Sequence, residues 1–234
     1  MKKCRNCGVL EDAFLISVNE IFPTFQGEGT FTGCPATFIR LQGCPVGCHW
    51  CDTKHTWPNG KPSKRITTDQ MILKTKDAPT FAEVSESEIV NVVKEFNPTH
   101  FVITGGEPFV QDIYELVKQL GEFGLVQIET SGTHQINVPD EAFVTVSPKI
   151  NMQGGYQVLK ESILRADEIK MPVADQADLN NFLELLSDLP ELLKYKIWLT
   201  PVSQDNSATK LCVQMAMKMN WRVSLQTHKF MNVR

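Results

Sequence analysis

Three cysteines stand in LQGCPVGCHWCDTKHTW, residues 41–57, as Cys44, Cys48 and Cys51 in the spacing C-x3-C-x2-C. The number matters. Structural zinc wants four ligands, a disulfide two, and a fully ligated iron–sulfur cluster usually four thiolates. A cubane cluster held by three thiolates leaves its fourth iron open to an outside ligand, as catalytic zinc keeps a position open. Short spacing lets one loop wrap such a cluster, and Gly43, Pro45 and Gly47 supply tight turns. Half of a zinc site, completed by His49 or His55 in the same loop, is the alternative that this spacing leaves open. Inert buried thiols explain three cysteines flanked by glycines poorly. Trp50 either packs beside the cysteines or shields them from water, with packing the default.

A reactive loop needs a scaffold. TFIRLQG reads as a strand that delivers the cysteines at its carboxyl end. SESEIVNVVKEF opens with Ser85 and Glu88 in capping-box register and sets Ile89, Val92, Val93 and Phe96 on one helical face. HFVIT is a strand ending at Gly105-Gly106, and QDIYELVKQLGEFG a helix with Ile113, Leu116, Val117 and Leu120 inward. Strands VQIET, FVTVSPK and EIKMPV follow, with a helix through YQVLKESILRA before the last. DQADLNNFLELLSDL and SATKLCVQMAMKMN read as helices around the strand KIWLTPVS, and RVSLQTHK as a final strand. Repeated βα units predict a mostly parallel sheet, open or curled into a barrel. Residues 58–82, rich in Pro, Lys and Thr, break this pattern as an insertion or a mobile connection within one domain. The polar motifs TGGEP, ETSG, SPK, KMP, PVSQ and QTHK fall at or near successive strand ends. In parallel α/β proteins that rim is where ligands bind, so these motifs predict one shared pocket.

Composition narrows the classes. The chain has 234 residues, 42% of them hydrophobic, enough for a sizeable core. With a net charge of −4 it lacks the basic footprint of a general nucleic-acid binder. No apolar run approaches the roughly 18 residues of a membrane span, so no membrane partner is expected. The stretch MKKCRNCGVLEDAF turns acidic before any apolar segment develops, unlike a signal peptide. Seven cysteines, an odd count, argue against a complete disulfide framework, and a reducing cytoplasm is the expected compartment.

The cysteine spacing after one strand and Gly105-Gly106-Glu107-Pro108 after the next together resemble the radical S-adenosylmethionine (SAM) superfamily. NEIFPTFQGEGTFTGCPATFIRLQGCPVGCHWCDTKHTW is similar, nearly end to end, to the start of the 7-carboxy-7-deazaguanine synthase family. The likeness continues through VITGGEP, QIETSGTH, VTVSPK, GGYQVL, EIKMPV and WRVSLQTHKFMN, over roughly residues 14–234, and is nearest the gammaproteobacterial type. The resemblance implies a trimmed, partial (β/α) barrel as a single core domain over 14–234, with residues 1–13 an extension. It implies a 4Fe–4S cluster, SAM and Mg2+ as cofactors, and a radical ring contraction of 6-carboxy-5,6,7,8-tetrahydropterin with loss of ammonia, in queuosine biosynthesis. In the superfamily an electron from the reduced cluster cleaves SAM to a radical that abstracts hydrogen. A homodimer and a reductant such as flavodoxin or ferredoxin are the implied partners.

Residue by residue, the resemblance assigns Cys44, Cys48 and Cys51 to the cluster and the Thr53 hydroxyl to magnesium. Trp50, Cys51, Asp52, Gly106, Ser147, Pro148 and Lys149 contact SAM, with Gly105 and Glu107 beside its amine. Thr200, Pro201, Val202 and Ser203 are further SAM contacts, although Thr200-Pro201 stands where the family has Gln-Pro. Phe25, Gln26, Gly27, Arg40 and Thr104 contact the pterin, with Arg40 suited to clamp a carboxylate and His228 a further contact. Cys4 and Cys7 form a second C-x2-C with no evident partner pair and read as part of a frayed extension. Cys34 and Cys212 read as ordinary structural thiols. The rival readings are another radical SAM enzyme, such as a glycyl-radical activase, and a non-catalytic iron–sulfur or zinc protein.

Overall fold

A computed structural model of the chain describes residues 15–57, 64–97, 99–187, 189 and 196–233; Cys4, Cys7 and the rest of the 1–13 extension lie outside them. The chain runs through β1 (Leu15–Phe25), β2 (Pro35–Leu41), β3 (Lys64–Arg65), α1 (Thr68–Ile72), β4 (Thr80–Ser85) and α2 (Glu86–Lys94). It continues with β5 (His100–Gly105), α3 (Tyr114–Gly121), β6 (Leu125–Thr130), β7 (Phe143–Val146), α4 (Lys160–Arg165) and β8 (Glu168–Val173). Last come α5 (Gln176–Leu186), β9 (Ile197–Pro201), α6 (Asn206–Met219), β10 (Arg222–Val223) and α7 (Thr227–Met231). Among the described residues the strands form one sheet in the order β10-β9-β8-β7-β6-β5-β2-β1-β4-β3. From β2 to β10 every pairing is parallel, while β1 runs antiparallel to both β2 and β4. The sheet does not close on itself. It is the trimmed, mostly parallel α/β architecture expected from the βα repetition and the resemblance.

Alternation along the strands separates two faces. Ile39 and Leu41 of β2, Phe101 and Ile103 of β5, and Val126 and Ile128 of β6 are buried in one apolar cluster with α2 and α3. Val144 and Val146 of β7, Ile169 and Met171 of β8, and Ile197 and Leu199 of β9 form a second cluster, with Leu179 and Phe182 of α5 and Cys212 of α6. Because successive strand side chains point to opposite faces, Arg40, Thr104, Gln127, Glu129, Thr145, Glu168 and Lys170 all fall on the other, concave face. One side of the sheet is thus a helix-covered core, and the other is a polar basin.

Helix starts follow the local sequence. The Ser85 side chain accepts from Glu88 N at the head of α2, and Asp205 caps α6 by accepting from Ser207 and Ala208 N. Asp175 and Asp178 form a reciprocal capping box at α5. Two expected boundaries shift. The helix expected through YQVLKESILRA begins only at Lys160, because Leu159 N bonds Gly132 O and holds the preceding residues as a loop. The expected final strand RVSLQTHK pairs only over Arg222–Val223, and Thr227–Met231 turns into α7, closed by Asn232 in the left-handed conformation. Strand β1 is an addition that the sequence reading did not single out. Within 58–82, residues 64–82 carry β3, α1 and the start of β4; residues 58–63 lie outside the described residues.

Candidate functional site

The concave face opens into a cavity of about 370 Å3. Its floor is the polar strand face, and its rim collects the strand-end motifs. Cys44, Cys48 and Cys51 line one wall as free thiols. Gly43, at φ +101°, makes the sharp exit from β2 that launches this loop. The turn after β5 is fitted against it: Glu107 N bonds Gly43 O at 2.8 Å, and Gly106 N bonds Leu41 O at 2.9 Å. A Cβ on Gly106 would collide with the Gly43 carbonyl, so only glycine permits this approach. The two motifs therefore pack as one piece. Glu107, 1% exposed, accepts from Thr130 Oγ1 at 2.7 Å, Ser131 N at 2.8 Å, Ser131 Oγ at 2.5 Å and Phe109 N at 3.2 Å. Those four donors fill its acceptor positions and tie the ends of β5 and β6 together.

The thiols sit in an environment set by burial. Burial pushes the Cys44 thiol up to about 11, and raises Cys48 against the opposing pull of the Lys149 ammonium. Burial also lowers Lys149, whose Nζ stands 4.8 Å from the Trp50 ring centroid and donates to Ser147 Oγ at 2.5 Å. Thr53 Oγ1 meets Cys51 Sγ at 3.5 Å. Tetrahedral zinc, at about 2.3 Å from each sulfur, would hold thiolates about 3.8 Å apart. Among the described residues the three thiols do not gather within 4.8 Å of one another, with or without His49 or His55. Three spread thiols on one loop suit a cluster corner better than a zinc ion. A second observation fits a bound polar cosubstrate: Thr200 Oγ1 is buried on the cavity wall with no hydrogen-bond partner among the described residues.

The floor is a buried ionic network. Lys170 Nζ, 3% exposed, donates to Glu129 Oε2 at 2.8 Å and to Glu28 Oε2 at 3.0 Å. Gln26 Nε2 donates to Glu129 Oε1 at 2.9 Å and Gln127 Oε1 at 3.1 Å. Burial alone would raise Glu28, but Lys170, Gln226 and His228 outweigh it and bring its carboxyl down to about 2. Burial would lower Lys170, and the carboxylates of Glu129 and Glu28 more than reverse that. Deeper in, Glu168 is raised by burial and bonded to Thr30 N at 2.6 Å and Thr145 Oγ1 at 3.2 Å.

The remaining wall comes from far along the chain. Gly29 N donates to Ser224 Oγ at 2.9 Å, Thr227 N to Gly27 O at 3.0 Å, and Gln226 Nε2 to Glu28 Oε1 at 2.9 Å. His228 of α7 lies directly against Gly27, its ring lowered by burial. Lys229 Nζ stands 3.7 Å from Asp52, bridging α7 to the cysteine loop.

The residues expected to hold cluster and SAM meet here: Cys44, Cys48, Trp50, Cys51, Asp52, Thr53, Gly106, Ser147, Lys149 and Thr200, Pro201, Val202 and Ser203 all line the cavity. So do Phe25, Gln26, Gly27, Arg40, Thr104 and His228. Pro148 is buried beneath the rim and is not part of the lining. Cys212 is buried in the second core cluster, while Cys34 is exposed. Sequence reasoning did not single out Glu28, and it placed Glu129 and Lys170 in the shared pocket only through the strand-end motifs ETSG and KMP, without giving either a role. For Glu129 and Lys170 the signal was present: in VQIET and EIKMPV polar or charged residues alternate with apolar ones at period two, which a strand buried in apolar layers on both faces would not do.

Comparison with known proteins follows the same lines. The profile of the radical SAM superfamily matches residues 38–142. The 7-carboxy-7-deazaguanine synthase of Escherichia coli (strain K12) is 46% identical over 219 residues, covering 92% of this chain and 98% of the relative. The synthase of the same name from Buchnera aphidicola subsp. Schizaphis graminum is 41% identical over 220 residues, covering 93% and 98%. The crystal structure of QueE from Escherichia coli superposes with a TM-score of 0.85 at 44% identity, covering 91% of this chain and 94% of that one.

Proposed function

The chain belongs to the 7-carboxy-7-deazaguanine synthase family of radical SAM enzymes, and we propose that it converts 6-carboxy-5,6,7,8-tetrahydropterin to 7-carboxy-7-deazaguanine with release of ammonia, serving queuosine biosynthesis. The observation that carries this reading is the convergence of three spread thiols, the Gly106 turn and a carboxylate–lysine floor on one cavity. A 4Fe–4S cluster and SAM come with superfamily membership. Cys44, Cys48 and Cys51 hold the cluster, and when bound and reduced it supplies the electron for cleavage of SAM. Trp50, Gly106, Ser147, Lys149 and the Thr200–Ser203 run orient SAM, and the buried Thr200 hydroxyl gains a partner from it. Glu28 and Glu129 present carboxylates to the N–H edge of a pterin, Gln26 reads its mixed donors and acceptors, and Arg40 takes the substrate carboxylate. Thr53 offers its hydroxyl oxygen to Mg2+, since a contact to sulfur at 3.5 Å is too weak to withhold it from a hard cation. No strong side-chain base is required for hydrogen abstraction by a radical. The walls' task is to exclude water and stray hydrogen donors. A homodimer and a flavodoxin- or ferredoxin-like reductant complete the proposal.

The test is an anaerobic assay of cluster-loaded protein with reductant, SAM, magnesium and 6-carboxytetrahydropterin, following product by mass spectrometry. Product from the wild type and none from Cys48→Ala is the expected result. SAM cleavage without product would leave another radical SAM activity, such as a glycyl-radical activase. An intact cluster with neither would leave a non-catalytic iron–sulfur protein.

A further inference from the structure

Arg40 lines the cavity from β2, and the antiparallel neighbour β1 places Glu20 directly opposite it in register. Glu20 is 2% exposed, and its Oε1 accepts the Arg40 Nε–H at 2.6 Å. The ring of Phe22, two residues along β1 on the same face, lies 5.6 Å from Arg40 Cζ and stacks on Phe38. The guanidinium is therefore fixed at one edge by a carboxylate and on one face by an aromatic pair. Its two terminal nitrogens carry no hydrogen bond among the described residues. An arginine can meet a carboxylate sideways, through Nε and one terminal nitrogen, or end-on, through both terminal nitrogens. Occupation of Nε by Glu20 removes the sideways mode.

We propose that Glu20 is a positioning residue for substrate recognition: it holds Arg40 by Nε so that only the end-on pair of N–H groups faces the cavity, as a fork for the substrate's carboxylate. This rests on the functional reading above, which assigns that carboxylate to Arg40. The placement also balances the charge of the largely buried guanidinium. A guanidinium 17% exposed keeps a counter-charge behind it before substrate arrives, so neither ion is left buried and alone. A ring nitrogen of His55 and carboxylate oxygens of Glu20 and Asp77 lie within 4.8 Å of one another, and Arg40 already supplies the positive charge that this trio needs.

The experiment measures equilibrium binding to the cluster-loaded protein without reductant, at fixed magnesium. The probes are 6-carboxytetrahydropterin, tetrahydropterin lacking the carboxylate, and SAM. Glu20→Gln should weaken the carboxylated pterin about tenfold or more, leaving tetrahydropterin and SAM within about twofold. Arg40→Met should abolish the preference for the carboxylated pterin, and adding Glu20→Gln to it should cost nothing further. Glu20→Asp, which keeps the charge, should restore part of the loss and provides the comparison if the Gln variant melts early. Equal weakening of all three probes, or unchanged affinity in Glu20→Gln, would overturn the proposal while leaving the functional reading intact. A wild-type protein that binds neither pterin, or does not favour the carboxylated one, would overturn the functional reading and this inference with it.

Discussion

At the scale of single residues, the cysteine loop is the most legible feature, and burial alters its chemistry. Spacing singled out Cys44, Cys48 and Cys51 as metal-binding thiols, and the family resemblance assigned them to a cluster rather than to zinc. What spacing could not give is their reactivity. Burial pushes Cys44 up to about 11, so in the cluster-free protein it is a neutral thiol at pH 8 and a poor nucleophile. Alkylation of Cys44 by iodoacetamide, mapped by mass spectrometry, should be slow at pH 8 and accelerate steadily toward pH 11. Because ligation requires the thiolate, cluster assembly should release protons and proceed more readily as pH rises. Thr53 makes a complementary case. Thr53→Ala should leave the cluster's visible absorbance unchanged while product formation loses most of its response to added magnesium. An undiminished response would remove Thr53 from the metal site.

At the scale of elements, direction and pairing decide what the sequence conceals. The periodic segments that became α2, α3, α5, α6, β5, β6, β8 and β9 were readable because each has one face against apolar neighbours. Strand β1 was not, for a strand's apolar pattern carries no information about which way it will run. Its antiparallel course matters, since it brings Glu20 and Phe22 beside Arg40. The last expected strand failed for a related reason: Ser224 N still bonds Leu199 O, but the following side chains turn back to Gly27 and Glu28. The tightest junction between elements is that of the loops after β2 and β5. Gly106→Ala would force apart two backbones that already share hydrogen bonds, at a cost of about 1–3 kcal/mol as for other overpacked sites. Its expected signature is a lower melting temperature together with weaker cluster retention on gel filtration. Loss of stability with full cluster retention would mean that the two loops are held independently.

At the scale of the whole molecule, the interior is divided between an apolar core behind the sheet and an ionic basin before it. That division makes stability depend on pH. Glu28 falls from an ordinary 4.5 to about 2 on folding, so its contribution is complete above pH 4.5 and is lost as pH drops toward 2. A depression of that size corresponds to on the order of 3 kcal/mol. Urea midpoints of the wild type should therefore fall between pH 5 and pH 3, and Glu28→Gln should flatten that slope. Removing the shared cation should be harsher: Lys170→Met leaves Glu129 and Glu28 facing each other and should cost about 3–5 kcal/mol at neutral pH. The stitch between residues 27–29 and 224–228 carries a different consequence, one of timing. Partners some two hundred positions apart cannot meet until translation has delivered the later one. The ribosome therefore releases the cysteine loop long before the wall that will cover it, and the nascent thiols stay open to iron delivery, and to oxidants, until that late segment arrives.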